Sequence, residues 1–317
     1  MRQQVQGPVQ LAIAYSAPTL AEPTPSETAL AALEGEDTET ARRLRNAGAR
    51  ISAVIPTLNE AANLPHVLTR IPAYVDEVVL VDGHSIDNTI EVARAIRPDI
   101  RIVIQDSHGK GNALACGFAA SDGDIIVMLD ADGSTDPAEI GRFVAPLLNG
   151  HDFVKGSRFL KGGGSEDITG MRSLGNRGLL LIMNLLYGTR YSDLCYGYNA
   201  FWRRCLPHMS VDCNGFEVET LITTRVARAG LSVAEVPSIE YERLHGVSNL
   251  KAVPDGIKVL RTIFGERFRR ASTKSRRDPN AWRPTFDEFP RQTNSAEVHA
   301  ARTTEHLSGA RRGVNAV

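Results

Sequence analysis

The chain has 317 residues, 42% of them hydrophobic, with 36 Lys and Arg against 37 Asp and Glu and a formal net charge of −1. That hydrophobic content excludes wholesale disorder and allows either one large α/β domain with tails or two average domains. The near-neutral balance excludes a global positive field that would draw nucleic acid.

Residues 1–48 mix Pro8, Pro18, Pro23 and Pro25 with Ala, Thr and Glu, which predicts a flexible leader with a short helix between Glu27 and Asn46. No basic start leads into a long apolar run, so no signal peptide is expected. The compact unit is expected over residues 49–268. Ile51–Ile55 reads as an apolar strand stopped by Pro56, with Asn59 or Asn63 available to cap a following helix. Glu77–Val81 is a second strand, ending at Asp82-Gly83, and Asp87 precedes a helix through Ala95. Ile100–Ile104 is a third strand, followed by a helix over Gly111–Ala120. Ile125–Leu129 is a fourth, ending at Asp130-Ala131-Asp132, and Pro137 suits the first turn of the next helix. A further helix is predicted over Gly215–Ala229. Residues 269–317 read as a polar tail that Trp282, Phe286 and Phe289 could pin to the body. Near-continuous apolar strands with helical crossovers predict an α/β fold with a mostly parallel sheet covered on both faces.

Ligands of such sheets sit beyond the carboxyl ends of the strands. Thr57, Asn59, Glu60, Asp82, Asp130 and Asp132 all follow strand ends and can converge on one crevice. The dinucleotide pattern G-x-G-x-x-G is absent after the first strand, which counts against a nicotinamide enzyme. Asp130 and Asp132 are hard oxygen donors suited to Mg²⁺ or Mn²⁺, which would bridge the chain to a diphosphate. Lys110, in His108-Gly-Lys-Gly-Asn112, could meet donor phosphates, with the glycines allowing close backbone approach. Lys155-Gly-Ser-Arg158 is read as following a short strand. With Arg172, Ser173, Asn176 and Arg177 at helical spacing, Arg158 could form a basic acceptor site beside the apolar run Leu179–Leu186. That run is interrupted by Asn184 and is far short of the ~20 residues that cross a bilayer, so no span is expected and peripheral contact at a membrane's inner face is left open. Asp193 could be a base or could orient an arginine. Cys195 reads as a small buried hydrophobe. Of Glu217 and Glu219, two apart on a helix, at most one need face a ligand. Arg243 and His245 are candidate diphosphate contacts in a polar loop. Cys116, Cys195, Cys205 and Cys213 form no C-x-x-C pair, so a reduced, cytoplasmic setting is the simpler reading.

Asn59-Glu60, Asp82-Gly83, Asp130-Ala-Asp132, Gly156-Ser-Arg158 and Arg243-x-x-Gly246-x-Ser248 resemble glycosyltransferase family two, most closely its dolichyl-phosphate mannose synthase and polyprenyl-phosphate glycosyltransferase branch. The resemblance covers about residues 49–263. It implies the GT-A fold, with a Rossmann-like half, and inversion at the anomeric carbon. It implies donor contacts at Pro56, Thr57, Asn59, Glu60, Asp82, Lys110, Asp130, Ala131, Arg243 and His245, with Mg²⁺ or Mn²⁺ on Asp130 and Asp132. It implies acceptor contacts at Gly156, Ser157, Arg158, Arg172, Ser173, Asn176 and Ser248, and catalytic roles for Asp132 and Arg243; Asp193 joins them as a candidate base where the acceptor is a hydroxyl. Where the family pattern often continues Leu-Gln after the acidic motif, this chain has Gly133-Ser134. The implied reaction moves a sugar from a nucleotide-sugar donor to a polyprenyl phosphate. The alternatives are a soluble transferase acting on a small-molecule or sugar hydroxyl, and a nucleotidyltransferase or non-catalytic nucleotide-sugar-binding protein.

Overall fold

The structure, a computed structural model, describes residues 38–247 and 250–269. Most of the expected leader, the tail with Trp282, Phe286 and Phe289, and Ser248 lie outside the described residues. Residues 38–47 are helical (α1), and Leu44 of that helix is buried in the main core.

The strands are β1 (Ile51–Thr57), β2 (Glu77–Asp82), β3 (Arg101–Ile104), β4 (Ile125–Met128), β5 (Phe153–Ser157), β6 (Gly164–Ser165), β7 (Asn199–Trp202), β8 (Val233–Pro237) and β9 (Ile239–Glu240). The α-helices are α2 (Leu64–Leu68), α3 (Thr89–Ile96), α4 (Gly109–Ala120), α5 (Ile140–Leu148), α6 (Gly170–Tyr187), α7 (Leu206–Met209), α8 (Val218–Ala229) and α9 (Ala252–Phe268). Seven strands form one sheet in the order β3-β2-β1-β4-β7-β5-β8, and β6 pairs with β9 beside it. All neighbours in the large sheet are parallel except at β7, which runs against β4 and β5. The predicted mostly parallel sheet is therefore present, and the carboxyl ends of β1, β2, β4 and β5 meet the start of β7 along one edge.

Two local expectations are corrected. Strand β1 does not stop at Pro56, which pairs with Val81 and is followed by Thr57 in register with Asp82. Val54 O accepts from Leu129 N, so residue 56, two further on, faces the same way, beyond the end of β4. No ladder bond is needed from a proline there. Lys155, Gly156 and Ser157 do not follow β5 but form its second half, paired with β7 and β8. Lys155 is fully buried, with Nζ donating to Leu194 O at 3.3 Å, and burial holds its pKa below the ordinary lysine value. A second, smaller apolar cluster joins α6 to α9 through Met183, Val259 and Ile263, with Leu194 beneath.

Candidate active site

A cleft of about 810 Å³ opens along the strand-end edge. Pro56, Thr57, Glu60, Lys110, Asp130, Ala131, Asp132 and Arg243 line it, as do Arg158, Arg172 and Asn176. Members of both sequence-expected groups therefore line one cavity, while Asp82 and His245 are not among its lining residues.

At the end expected to take the donor, the acidic turn is tightly organised. Asp132 Oδ1 accepts from Ser134 N at 3.0 Å and Ser134 Oγ at 2.6 Å, while Oδ2 meets Arg243 at 2.8 Å. Arg243 also meets Glu60 Oε1 at 2.8 Å. Burial raises the Glu60 carboxyl, and its bonds to Asn63 and Arg243 offset only part of that rise. Asn63 stands at the start of α2 without a capping bond from its side chain, which instead binds Glu60 and reaches His245 O at 3.2 Å. Thus His245 contributes its backbone here, and its ring lies 6.2 Å from that of His66. Asn59, at φ 56°, receives Ile86 N at 2.8 Å and donates its own N–H to Ser85 Oγ at 2.9 Å. It clasps two loops and is not part of the cleft wall. Asp82 Oδ2 accepts from Ser85 N at 3.0 Å, and its buried Oδ1 has no partner.

Lys110 lies between Asp130 (2.6 Å) and Glu219 (2.7 Å). Burial disfavours its charge, but the two carboxylates outweigh burial and hold the ammonium above the ordinary lysine value. The flanking glycines serve a different contact from the one expected. A Cβ on Gly109 would lie 2.0 Å from Asn214 O, and one on Gly111 2.1 Å from Cys213 O. The close approach is to the chain's own segment 213–214, which Gly111 N joins at 3.1 Å.

At the end of the cleft expected to take the acceptor, Arg158 is clamped. Its Nε and Nη2 donate to Asp193 at 2.7 and 3.0 Å, its Nη1 to Glu240 at 3.0 Å, and the guanidinium stands 5.1 Å from the Tyr196 ring centre. Asp193 also accepts from Asn176 Nδ2 at 3.3 Å and from the N–H groups of Arg158 and Cys195, each at 3.3 Å. Burial pushes the Asp193 carboxyl up, but these bonds and the charges of Arg158 and Lys155 overcome it, leaving the pKa below the ordinary value. Of the two readings left open by the sequence, this geometry supports the arginine-orienting one: a depressed, fully buried carboxylate makes a poor base. Gly156 and Ser157 are also away from the cleft. A Cβ on Gly156 would strike the Tyr196 ring and Tyr198 O at 2.8 Å, and Ser157 Oγ bonds Ser192 Oγ at 2.7 Å. They position Arg158 and do not face a ligand. Arg172 pairs with Asp167 at 3.0 Å on the cleft wall, whereas Ser173 does not line it. The buried Oδ1 of Asn176 has no partner. Cys195 also lines the wall, its thiol pushed up by burial to about 11.

The sequence pattern of Glycosyl transferase family 2 matches residues 52–209. Glycosyltransferase AglJ of Haloferax volcanii is 31% identical, over 71% of this chain and 73% of its own length. The chain belongs to glycosyltransferase family two. Polyprenol monophosphomannose synthase of Mycolicibacterium smegmatis is also 31% identical, over 68% of this chain and 85% of its own. Glucosyl-3-phosphoglycerate synthase from Mycobacterium tuberculosis, crystallised with Mn²⁺, uridine diphosphate and phosphoglyceric acid, superposes with a TM-score of 0.59 at 26% identity, covering 73% of this chain and 83% of that one. The fold is GT-A, as the resemblance implied.

Within this family-two cleft, the acidic turn has the chemistry for a divalent cation. No group of three or more His, Cys, Asp or Glu side chains is arranged to hold a metal among the described residues. Two carboxylates are present, and the remaining ligands would have to come from a diphosphate or water. Asp130 is open to such a ligand, since its side chain is 28% exposed and lines the cleft. A Cβ on Gly197 would lie 2.7 Å from Asp130 Oδ2 and 3.0 Å from Lys110 Nζ, so glycine is what lets that ion pair pack against residue 197. Sequence reasoning missed the roles of Gly197 and Glu240, and it left Glu219 undecided. The i, i+2 spacing does resolve as expected: Glu219 enters the cleft, while Glu217 folds back on Gly215 N at 3.3 Å.

Proposed function

We propose that this protein is an inverting glycosyltransferase that moves a sugar from a nucleotide-sugar donor to a polyprenyl phosphate. The observation that carries this reading is a pair of apolar stripes beginning at the cleft. Helix α6 exposes Met171, Leu174, Leu181 and Leu185 along one side, and α9 exposes Val253, Ile257, Phe264 and Phe268. Met171 and Val253 also line the cleft. A prenyl chain whose phosphate lies at Arg172 and Asn176 therefore meets apolar surface at once. The same stripes suit peripheral contact with a bilayer. No helix among the described residues is long and apolar enough to cross one.

The acceptor phosphate is already anionic near neutral pH. It can attack the anomeric carbon directly from the face opposite the leaving nucleoside diphosphate, so orientation matters more than a base. Asp193, committed to Arg158, is not required as one. Lys110 and Arg243 donate to the leaving diphosphate, and Asp82 offers its unpartnered oxygen to the nucleoside. Asp130 and Asp132 would hold Mg²⁺ or Mn²⁺, which supplies further neutralisation of the leaving charge.

A second reading is a small phosphorylated acceptor, since the mycobacterial synthase above was crystallised with phosphoglyceric acid. Acceptor chain length separates the two. Rates at limiting acceptor are expected to rise from a one-isoprene phosphate to a long polyprenyl phosphate. They should flatten when Met171 and Leu174 become serine. Equal rates for short and long chains, with phosphoglycerate the better acceptor, would move the assignment to the second reading.

A further inference from the structure

The donor end repeats one arrangement twice. Asp130 is paired with Lys110, which is also paired with Glu219, at 2.6 and 2.7 Å. Asp132 is paired with Arg243, which is also paired with Glu60, both at 2.8 Å. Each carboxylate suited to a metal is thus covered by a cation of the same chain, and each cation has a second carboxylate to hold it. Glu219 and Glu60 are 5% and 12% exposed on their side chains, so these holding groups are the more enclosed partners. Asp130 is 28% exposed and packs, with Lys110, against Gly197.

We infer that Lys110 and Arg243 act as exchangeable counterions, covering Asp130 and Asp132 before ligands bind and passing to the donor diphosphate when a divalent cation takes the aspartates, with Glu219 and Glu60 as the positioning residues that retain them. This rests on the donor half of the proposed function and on nothing about the acceptor. Four carboxylates face two cations, so the empty cluster repels a bare diphosphate. A metal ion must in turn compete with an ammonium and a guanidinium for its ligands. Each ligand removes the other's obstacle, so metal and nucleotide bind with positive coupling, and the coupling factor is the same in both directions.

The test is Mn²⁺ binding to the purified full chain, followed by calorimetry and by the loss of free Mn²⁺ signal in electron paramagnetic resonance, first without nucleotide and then with UDP or GDP. Lys110→Met is expected to tighten Mn²⁺ binding without nucleotide by about fivefold or more, and to shrink the nucleotide-induced gain. Glu219→Gln is expected to do the reverse, because Lys110 then has Asp130 alone. In the Lys110→Met background, Glu219→Gln should have no further effect. Opposite signs alone would also follow from through-space charge, so the double variant decides: independent charge effects would add there, whereas the exchange predicts no further effect. The exchange is overturned if Lys110→Met leaves metal-only binding unchanged or weaker. It is equally overturned if its gain disappears in the double variant, since Glu219 would then be acting as a ligand. Should Mn²⁺ bind to no variant, even with nucleotide present, the metal part of the proposed function falls as well. Nucleotide-dependent Mn²⁺ binding that Lys110→Met and Glu219→Gln leave untouched sinks the exchange alone.

Discussion

At the donor end, Lys110 and Arg243 each stand between two carboxylates, and the Asp130 and Asp132 side chains remain 28% and 15% exposed. At the acceptor end, the side chains of Arg158 and Asp193 are 4% and 0% exposed, and the arginine is held by two carboxylates and an aromatic face. Both ends are cation–carboxylate clusters, but burial gives them different uses. A partly exposed pair can trade partners with an entering ligand at lower cost. A sealed pair cannot, because a buried charge left alone costs about 3–5 kcal/mol. The donor cluster is thus suited to exchange, and the acceptor cluster to shape. Arg158 frames the wall that carries Arg172 and Asn176, the proposed acceptor contacts.

Substitutions can break this comparison in graded steps. The largest expected effect is at Asp132. Asp132→Asn should lower transfer by about a thousandfold or more with no fall in melting temperature, read from initial rates at saturating Mn²⁺ and from circular dichroism. Asp193→Asn should act on the fold. It should cost about 3–5 kcal/mol in urea unfolding, since it leaves Arg158 buried with half its partners. A stable Asp193→Asn protein that had lost only its rate would instead restore the base reading. Gly197→Ala should raise the donor KM by about tenfold, because its Cβ would lie 2.7 Å from Asp130 Oδ2 and displace the pair with Lys110. Leu181→Glu, far along the α6 stripe, should reduce co-sedimentation with anionic vesicles by about tenfold.

The smallest effect sharpens the account of the packing behind Arg158. Burial pushes the Glu139 carboxyl up to about 7, although Ser238 Oγ donates to it at 2.5 Å. Tyr196, under Arg158, shares that serine at 2.8 Å. A carboxyl whose folded pKa is raised binds its proton more tightly folded than unfolded. Its contribution is complete below the unfolded value of 4.5 and is lost as pH rises through about 7. The melting temperature should therefore fall across that window, and Glu139→Gln should flatten the fall, a change on the order of 1–3 kcal/mol.

Much of the donor half was legible in the sequence because its strands are short apolar runs and its carboxylates stand at their ends. Asp130 and Asp132 on the cleft wall follow from that placement alone, whereas Asp82, at its own strand end, is buried and does not line the cleft. Glu219 and Glu240 were not legible as partners, because α8 and β9 are brought to the cleft by packing across the sheet rather than by local pattern. The glycines around Lys110 were read as a phosphate cradle; the signal was real, but the backbone they admit belongs to residues 213–214. Lys155 looked like a strand terminus because lysine rarely enters a core. Only the carbonyl of Leu194 and the nearby carboxylates make its burial tolerable. Asp193 stayed ambiguous because a base and an arginine partner look alike until the partner's position is known.

The most direct measurement is mass spectrometry of the products formed by the purified full chain. It would be given a panel of nucleotide sugars with Mn²⁺ and a long polyprenyl phosphate in anionic vesicles. The expected result is one glycosyl-phosphoprenol with matching release of a nucleoside diphosphate, lost in Asp132→Asn. Transfer to phosphoglycerate or another water-soluble acceptor, with none to the polyprenyl phosphate, would contradict the account.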